Sequence, residues 1–176
     1  MKKIYLAMLA STLLLSLSAH AAGAKTLKVV ETVEINAPAD QVWEKVSNFG
    51  DLGAWHPAVK STQITAGTNN KKGAVRLLTL QDGGTISEKL LGYNAHQMNY
   101  KYAIVEGVLP VSSYVSTITV KAGKNNTSTV TWKGSFKRKA TSSSPAAGQD
   151  DETAVKTITG VYRGGLDNLK KLEDKQ

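Results

Sequence analysis

The sequence predicts an α+β fold in which a curved antiparallel sheet of about seven strands grips one long C-terminal helix. Three observations predict it. Short runs of alternating apolar and polar residues recur between Leu27 and Lys139, the period of half-buried strands. Tight turns separate most of the runs, so successive strands pair antiparallel. The last stretch then changes period, with apolar residues every three or four positions, as on a helix that buries one face.

The first strand spans Leu27 to Asn36. Leu27, Val29, Val33 and Ile35 face one way, with Lys28, Thr32 and Glu34 opposite, and Val30-Glu31 interrupts the alternation. Ala37-Pro38-Ala39-Asp40 punctuates. Proline suits the start of a helix, and Asp40 puts negative charge near its positive end. Gln41 to Ser47 then forms a short helix that buries Val42, Trp43 and Val46. Asn48 to Pro57 holds two glycines and a proline, with Phe49, Leu52 and Trp55 at a spacing of three. A second short helix or turn under the sheet fits it.

Strands follow at Val59 to Thr65, Ala74 to Leu80 and Thr85 to Gly92. Gln81-Asp82-Gly83-Gly84 joins the last two, a strong hairpin signal. Gln97 to Glu106 places Met98, Tyr100, Tyr102 and Ile104 on one face. Val111 to Ala122 does the same with Tyr114, Ile118 and Val120. Ser128 to Lys139 buries Val130, Trp132 and Phe136 and turns Thr129, Thr131, Lys133 and Lys137 to water. After a Ser/Ala/Pro-rich linker, Asp150 to Leu172 is the long helix. Its acids stand at the N-terminal end and its lysines at the other, as the helix dipole favours. Ala154, Ile158, Val161, Tyr162, Leu166, Leu169 and Leu172 make its apolar stripe. One helix covers only part of such a sheet, so the space between them is a candidate cavity.

The chain has 176 residues, enough for one domain with a sizeable core. Residues 1–24 read as a leader. Lys2 and Lys3 precede an apolar run from Ile4 to Leu17, and Ala19-His20-Ala21 or Ala22-Gly23-Ala24 supplies the small-x-small cleavage pattern. The run is short for a membrane span, which needs ~20 residues. The expectation is a cleaved signal ending after Ala21 or Ala24, a mature domain over 25–176, and a periplasmic location. The chain has no cysteine, which excludes disulfides, thiolate metal sites, cysteine nucleophiles and lipoprotein acylation. Its formal charge of +8 falls to +6 when Lys2 and Lys3 leave with the leader. The lysines are scattered and the chain is exported, so nucleic acid is not the expected partner. An acidic periplasmic protein is a second partner class beside a small apolar or amphipathic molecule.

Four stretches, in order, carry a resemblance: INAPADQVWEKVSNFGDLGAWHP (35–57), TISEKLLGYN (85–94), YKYAIVEGVLPVSSYVSTITV (100–120) and STVTWKGSF (128–136). From Leu27 to Leu172 the chain resembles the START-like superfamily, also called SRPBCC or Bet v 1-like, with its helix-grip fold. It is most similar to the polyketide cyclase/dehydrase-type branch, whose exported members include methanol dehydrogenase accessory (MxaD-like) proteins. The resemblance implies a hydrophobic ligand pocket with mouth loops at Gln81–Gly84 and Gly107–Pro110. It also implies a pocket Glu at 88 within a water network and a Tyr at 114 whose hydroxyl reaches the ligand. The fold hosts carriers, receptors and cyclases, so it fixes no activity.

The residues themselves support a similar site. Glu88 alternates with Ile86 and Leu90 and so points inward, where burial raises a carboxyl pKa. The bland reading pairs it with a surface lysine. Trp55, His56, Leu78, Ile86, Glu88, Tyr100, Tyr102, Tyr114, Trp132, Phe136, Tyr162 and Leu166 are the candidate pocket residues. Most of the aromatics are core by default, and some must line any cavity. His56 sits near the expected entrance, although a lone turn histidine is more often structural. His56 and His96 stand without a carboxylate at metal spacing, so no metal or cofactor is expected. Arg163-Gly164-Gly165 interrupts the helix with two glycines, which implies close packing, a kink or room for ligand. Three functions follow in order: a periplasmic binding protein for a hydrophobic ligand, an accessory protein docking to a periplasmic oxidoreductase or cytochrome, and a cyclase/dehydratase-type enzyme using Glu88 or His56.

Overall fold

A computed structural model describes residues 25–174. The expected leader therefore lies outside the described residues. Seven antiparallel strands form one sheet: β1 (Leu27–Ile35), β2 (Val59–Ala66), β3 (Val75–Leu80), β4 (Thr85–Asn94), β5 (Asn99–Gly107), β6 (Val111–Ala122) and β7 (Ser128–Arg138). Their order across the sheet is β1-β7-β6-β5-β4-β3-β2. Strands β2 to β7 are a plain meander, as their short turns require. β1 closes the far edge by pairing with β7, so Leu27 faces Phe136 and Ile35 faces Ser128.

The first two strands thus sit on opposite edges, and the chain between them must cross one end of the sheet. Helix α1 (Ala39–Val46) and a single 3₁₀ turn (Leu52–Ala54) make that crossing. The second short helix is only this one turn, because Gly50, Gly53 and Pro57 crowd the segment. Phe49, Leu52 and Trp55 are all buried beneath it. Helix α2 (Asp151–Glu173) lies in the concave face. Asp150 caps it by accepting a 2.7 Å hydrogen bond from the Thr153 N–H. Its buried face is Ala154, Ile158, Tyr162, Gly165, Leu166 and Leu169.

The alternation of β1 runs on through Val30-Glu31. Val30 faces out at 61% exposure, and Glu31 takes an inward position at the sheet edge. There its carboxylate meets Arg163 Nε of α2 at 2.5 Å. The charge breaks the hydrophobic pattern but not the strand. Register shifts in β4 at Ser87/Glu88 and Leu90/Gly92, and in β6 between Ser112 and Val115, accompany the bending of the sheet around α2. Among the described residues no helix is long and apolar enough to cross a membrane.

Candidate ligand site

The hairpin β3–β4 pairs Arg76 with Glu88, and the curl of the sheet turns both inward. Arg76 Nε donates to Glu88 Oε2 at 2.7 Å and Nη2 approaches the same oxygen at 2.6 Å. Arg76 Nη1 donates to the Phe49 carbonyl at 2.8 Å, and the guanidinium lies 4.1 Å over the Phe49 ring. The pair therefore locks the α1–β2 crossing onto the sheet. Arg76 is fully buried and Glu88 nearly so. Burial pushes the Glu88 carboxyl above its ordinary value, and Arg76 pulls it back only in part. Burial, the largest single influence, works against the Arg76 charge, but Glu88 together with Tyr100 and Tyr102 outweighs it and the guanidinium is held more firmly protonated than usual. A neutral Glu88 would strand a buried cation, so the pair stays ionised. No described donor reaches the other oxygen, Glu88 Oε1.

Beside this pair is a hydroxyl chain. Ser116 Oγ donates to the Lys133 carbonyl at 2.8 Å, which can only accept. Ser116 must then accept from Tyr162, at 2.7 Å, and Tyr162 from Tyr114, also at 2.7 Å. Tyr114 in turn accepts from Tyr102 at 3.3 Å. Trp132 Nε1 donates to Tyr102 and Ser116 at 3.0 and 3.1 Å. Every donor in the chain is spent within the protein. Burial pushes the Tyr162 phenol up to about 12 and those of Tyr102 and Tyr114 well above their ordinary value, so all three are neutral. The Tyr162 ring stacks on Trp132 at 4.5 Å and 11°.

His56 is also committed. Nε2 donates to the Val161 carbonyl of α2 at 3.0 Å, and Nδ1 accepts from the Ala58 N–H at 3.3 Å. Desolvation holds its pKa below 6.5 despite that carbonyl. A neutral imidazole with both nitrogens engaged staples α2 to the crossing segment and has no free nitrogen to act as an acid or base.

These groups border an enclosed cavity of about 70 Å³. The crossing segment lines it with Leu52, His56, Ala58 and Val59. The sheet adds Leu78, Leu80, Ile86, Glu88, Tyr102, Ile104, Tyr114 and Trp132, the β5–β6 turn adds Leu109 and α2 adds Val161. Of the twelve residues singled out in the sequence, His56, Leu78, Ile86, Glu88, Tyr102, Tyr114 and Trp132 meet there. Trp55, Tyr100, Phe136, Tyr162 and Leu166 do not line it but are buried around it. Trp55 packs on Trp132 at 5.6 Å, Tyr100 between Trp43 and Phe49, and Phe136 on Tyr114 at 6.1 Å. These rings fill the concavity, which is why the remaining space is small. A larger hollow of about 400 Å³ lies between α1 and the end of α2, lined by Gln41, Glu44, Lys45, Asn48, Asp51 and Glu173. It is open and polar, so the enclosed apolar cavity is the better ligand site.

Sequence reasoning missed Arg76, Ser116 and Gly134. The signal for Arg76 was present. Counting back from the Asp82-Gly83 turn sets Arg76 opposite Glu88, and Arg76 shares its face with Ala74 and Leu78.

The profile of the family described as "Polyketide cyclase / dehydrase and lipid transport" matches residues 26–172. The protein XoxI from Bacillus cereus is 33% identical, with a TM-score of 0.72 over 83% of this chain and 94% of its own. A Nitrosospira multiformis protein is 26% identical, with a TM-score of 0.70 over 84% of this chain and 96% of that one. MLP-like protein 423 of Arabidopsis thaliana is 27% identical over 61% of this chain and 74% of its own length. Ara h 8.0201, at 16% identity and a TM-score of 0.68 over 86% of this chain and all of its own, shares the fold. With the helix-grip architecture and a profile match across nearly the whole described chain, the protein belongs to the polyketide cyclase/dehydrase and lipid transport family of the START-like superfamily.

Proposed function

We propose that this protein binds a small hydrophobic or amphipathic molecule in the cavity between the sheet and α2. The supporting observation is Glu88, whose Oε1 stands without a protein donor in a lining that is otherwise mostly apolar. Affinity comes from apolar burial, at ~25 cal/mol per Å². Orientation comes from Glu88, since the tyrosine hydroxyls donate to one another and to Ser116. At about 70 Å³ the cavity is below the ~300 Å³ of small ligand pockets, so a ligand must widen it or extend beyond it. Export through a cleaved signal and a periplasmic location complete the reading, and N-terminal sequencing of the secreted chain tests them. The principal test is native mass spectrometry of the mature protein purified from its own periplasm. A co-purifying small molecule that Tyr114→Ala loses supports the reading. A bare protein mass that no lipid extract shifts overturns it.

A docking role has one observation of its own. Lys28, Lys89, Lys101, Lys121, Lys133 and Lys137 are all exposed on the sheet's outer face, and Lys101 and Lys133 flank the same residue, Thr117. Such a face suits an acidic periplasmic oxidoreductase or cytochrome, with salt-sensitive association. Lys101→Glu with Lys133→Glu should abolish binding to a purified acidic partner at low salt. Unchanged binding overturns this role.

A further inference from the structure

The β5–β6 ladder stops early. Its last pair is Ala103 with Val115. Yet β5 stays on β4 as far as Gly107 opposite Ile86, and β6 stays on β7 at Val111 and Ser112. The strands are held apart from both sides. The Val108 N–H donates to the Thr85 carbonyl at 3.2 Å, and the Pro110 carbonyl accepts from the Lys139 N–H at 2.9 Å. On β6 the parting is built by a bulge, in which Ser113 takes a left-handed φ of +51°.

The parted strands leave a slot of about 270 Å³. Ile104, Leu109 and Tyr114 line both this slot and the enclosed cavity, so the two compartments share a wall. Leu109 comes from the β5–β6 turn, whereas Ile104 and Tyr114 stand on the strands. Val105 lines the slot at 61% exposure.

We propose that the slot is the second compartment of the ligand site, and that the ligand is elongated, with a neutral hydrogen-bond-donor head and an apolar tail. The proposal rests on reading the cavity as a ligand site. The head sits against Glu88 Oε1. Every tyrosine, tryptophan and histidine donor that lines the cavity is spent, and the buried Trp55 Nε1, which has no partner, lies outside the lining, so Glu88 offers an acceptor and the lining offers no free donor beside it. A carboxylate or phosphate head would therefore face a carboxylate without a compensating bond. A cationic head is disfavoured as well, because Arg76 already neutralises Glu88. The tail passes between Ile104 and Tyr114, under Leu109, and leaves through the split. Long-chain alcohols and acylglycerols have this chemistry, and free fatty acids do not.

The probes are cis-parinaryl alcohol and cis-parinaric acid, whose fluorescence rises on entering an apolar site. Binding is measured at neutral pH to the mature chain, with stopped-flow mixing for the rates. The alcohol should bind about tenfold or more tighter than the acid. Leu109→Trp should slow alcohol uptake about tenfold, and Leu109→Ala should speed both uptake and release. Equal affinity for acid and alcohol overturns the neutral head. Rates unchanged in both Leu109 variants overturn the slot and leave the cavity as a ligand site reached elsewhere. Failure of the unmodified protein to bind either probe overturns the ligand reading itself, and the slot with it.

Discussion

Gly134 of β7 lies where any added side chain would collide with the Tyr162 hydroxyl of α2. That hydroxyl is held by Tyr114 and Ser116, both at 2.7 Å, and its ring is flat against Trp132. The helix therefore sits at a distance from the sheet that only glycine at 134 permits. Gly134→Ala should destabilise the fold by about 1–3 kcal/mol through overpacking. Tyr162→Phe should cost about 1–3 kcal/mol, because Tyr114 and Ser116 lose a buried partner. In Gly134→Ala/Tyr162→Phe the hydroxyl clash is gone and only the tight contact with the ring Cζ, 3.3 Å away, remains, so the double variant should lose less than the sum of the two. Urea unfolding of the four proteins measures the coupling, and strict additivity would show that residues 134 and 162 do not meet.

Arg76 and Glu88 should show the asymmetry of a buried ion pair. Arg76→Met leaves a carboxylate in apolar surroundings and should cost about 3–5 kcal/mol. It also frees the Phe49 carbonyl, which Arg76 Nη1 now satisfies. Arg76→Met with Glu88→Leu removes both charges and should recover much of the loss. Chemical denaturation compares the three. A double variant no more stable than Arg76→Met alone would place the cost in the Phe49 contact rather than in the unpaired charge.

The strands, their pairing and the long helix were legible because each writes its period into the sequence. Tyr114, Ile118 and Val120 share a face by counting alone, and Asp82-Gly83-Gly84 announces its hairpin. The same hairpin encodes the Arg76–Glu88 register, but only when the turn is used to align the two strands residue by residue. Glu31 looked like a break because periodicity registers polarity and cannot foresee Arg163 waiting on α2. The size of the cavity was not legible. It is the space that rings from five elements leave between them, and that depends on tilts such as the 11° between Trp132 and Tyr162. The slot was equally hidden. It depends on a bulge at Ser113, a residue type that does not advertise a positive φ.

His56 should make stability sensitive to mild acid. Desolvation holds its folded pKa below the ordinary 6.5. Below about pH 6.5 the unfolded chain then binds a proton that the folded chain does not. The His56 contribution is therefore whole above that value and is lost as the pH falls through the folded pKa. One proton sets the limiting slope at about 1.4 kcal/mol per pH unit. His56→Gln can still reach the Val161 carbonyl and has nothing to titrate. Its unfolding free energy should be lower than the parent's at pH 7.5 but flatter between pH 6.5 and 5. A parallel decline in both proteins would mean that another group carries the acid sensitivity.

The two adjacent glycines of α2 should respond to alanine with opposite signs. Nothing lies within 4 Å of a Cβ built on Gly164, whereas one on Gly165 would stand 2.7 Å from His56 Cδ2 and 3.0 Å from the Trp132 ring. At both positions alanine gains about 1 kcal/mol of helix propensity. At 164 that gain is unopposed, and Gly164→Ala should be more stable by up to about that amount. At 165 the added methyl pushes against His56, which is fixed through Nε2 to Val161 and through Nδ1 to Ala58. An imidazole tied at both ends cannot swing aside cheaply. Overpacking of about 1–3 kcal/mol should outweigh the propensity gain, so Gly165→Ala is expected to be less stable than the parent. Thermal unfolding of the two variants at equal concentration reads the sign directly. A stabilising Gly165→Ala would mean that His56 yields, and that α2 is less tightly stapled to the crossing segment than its hydrogen bonds imply.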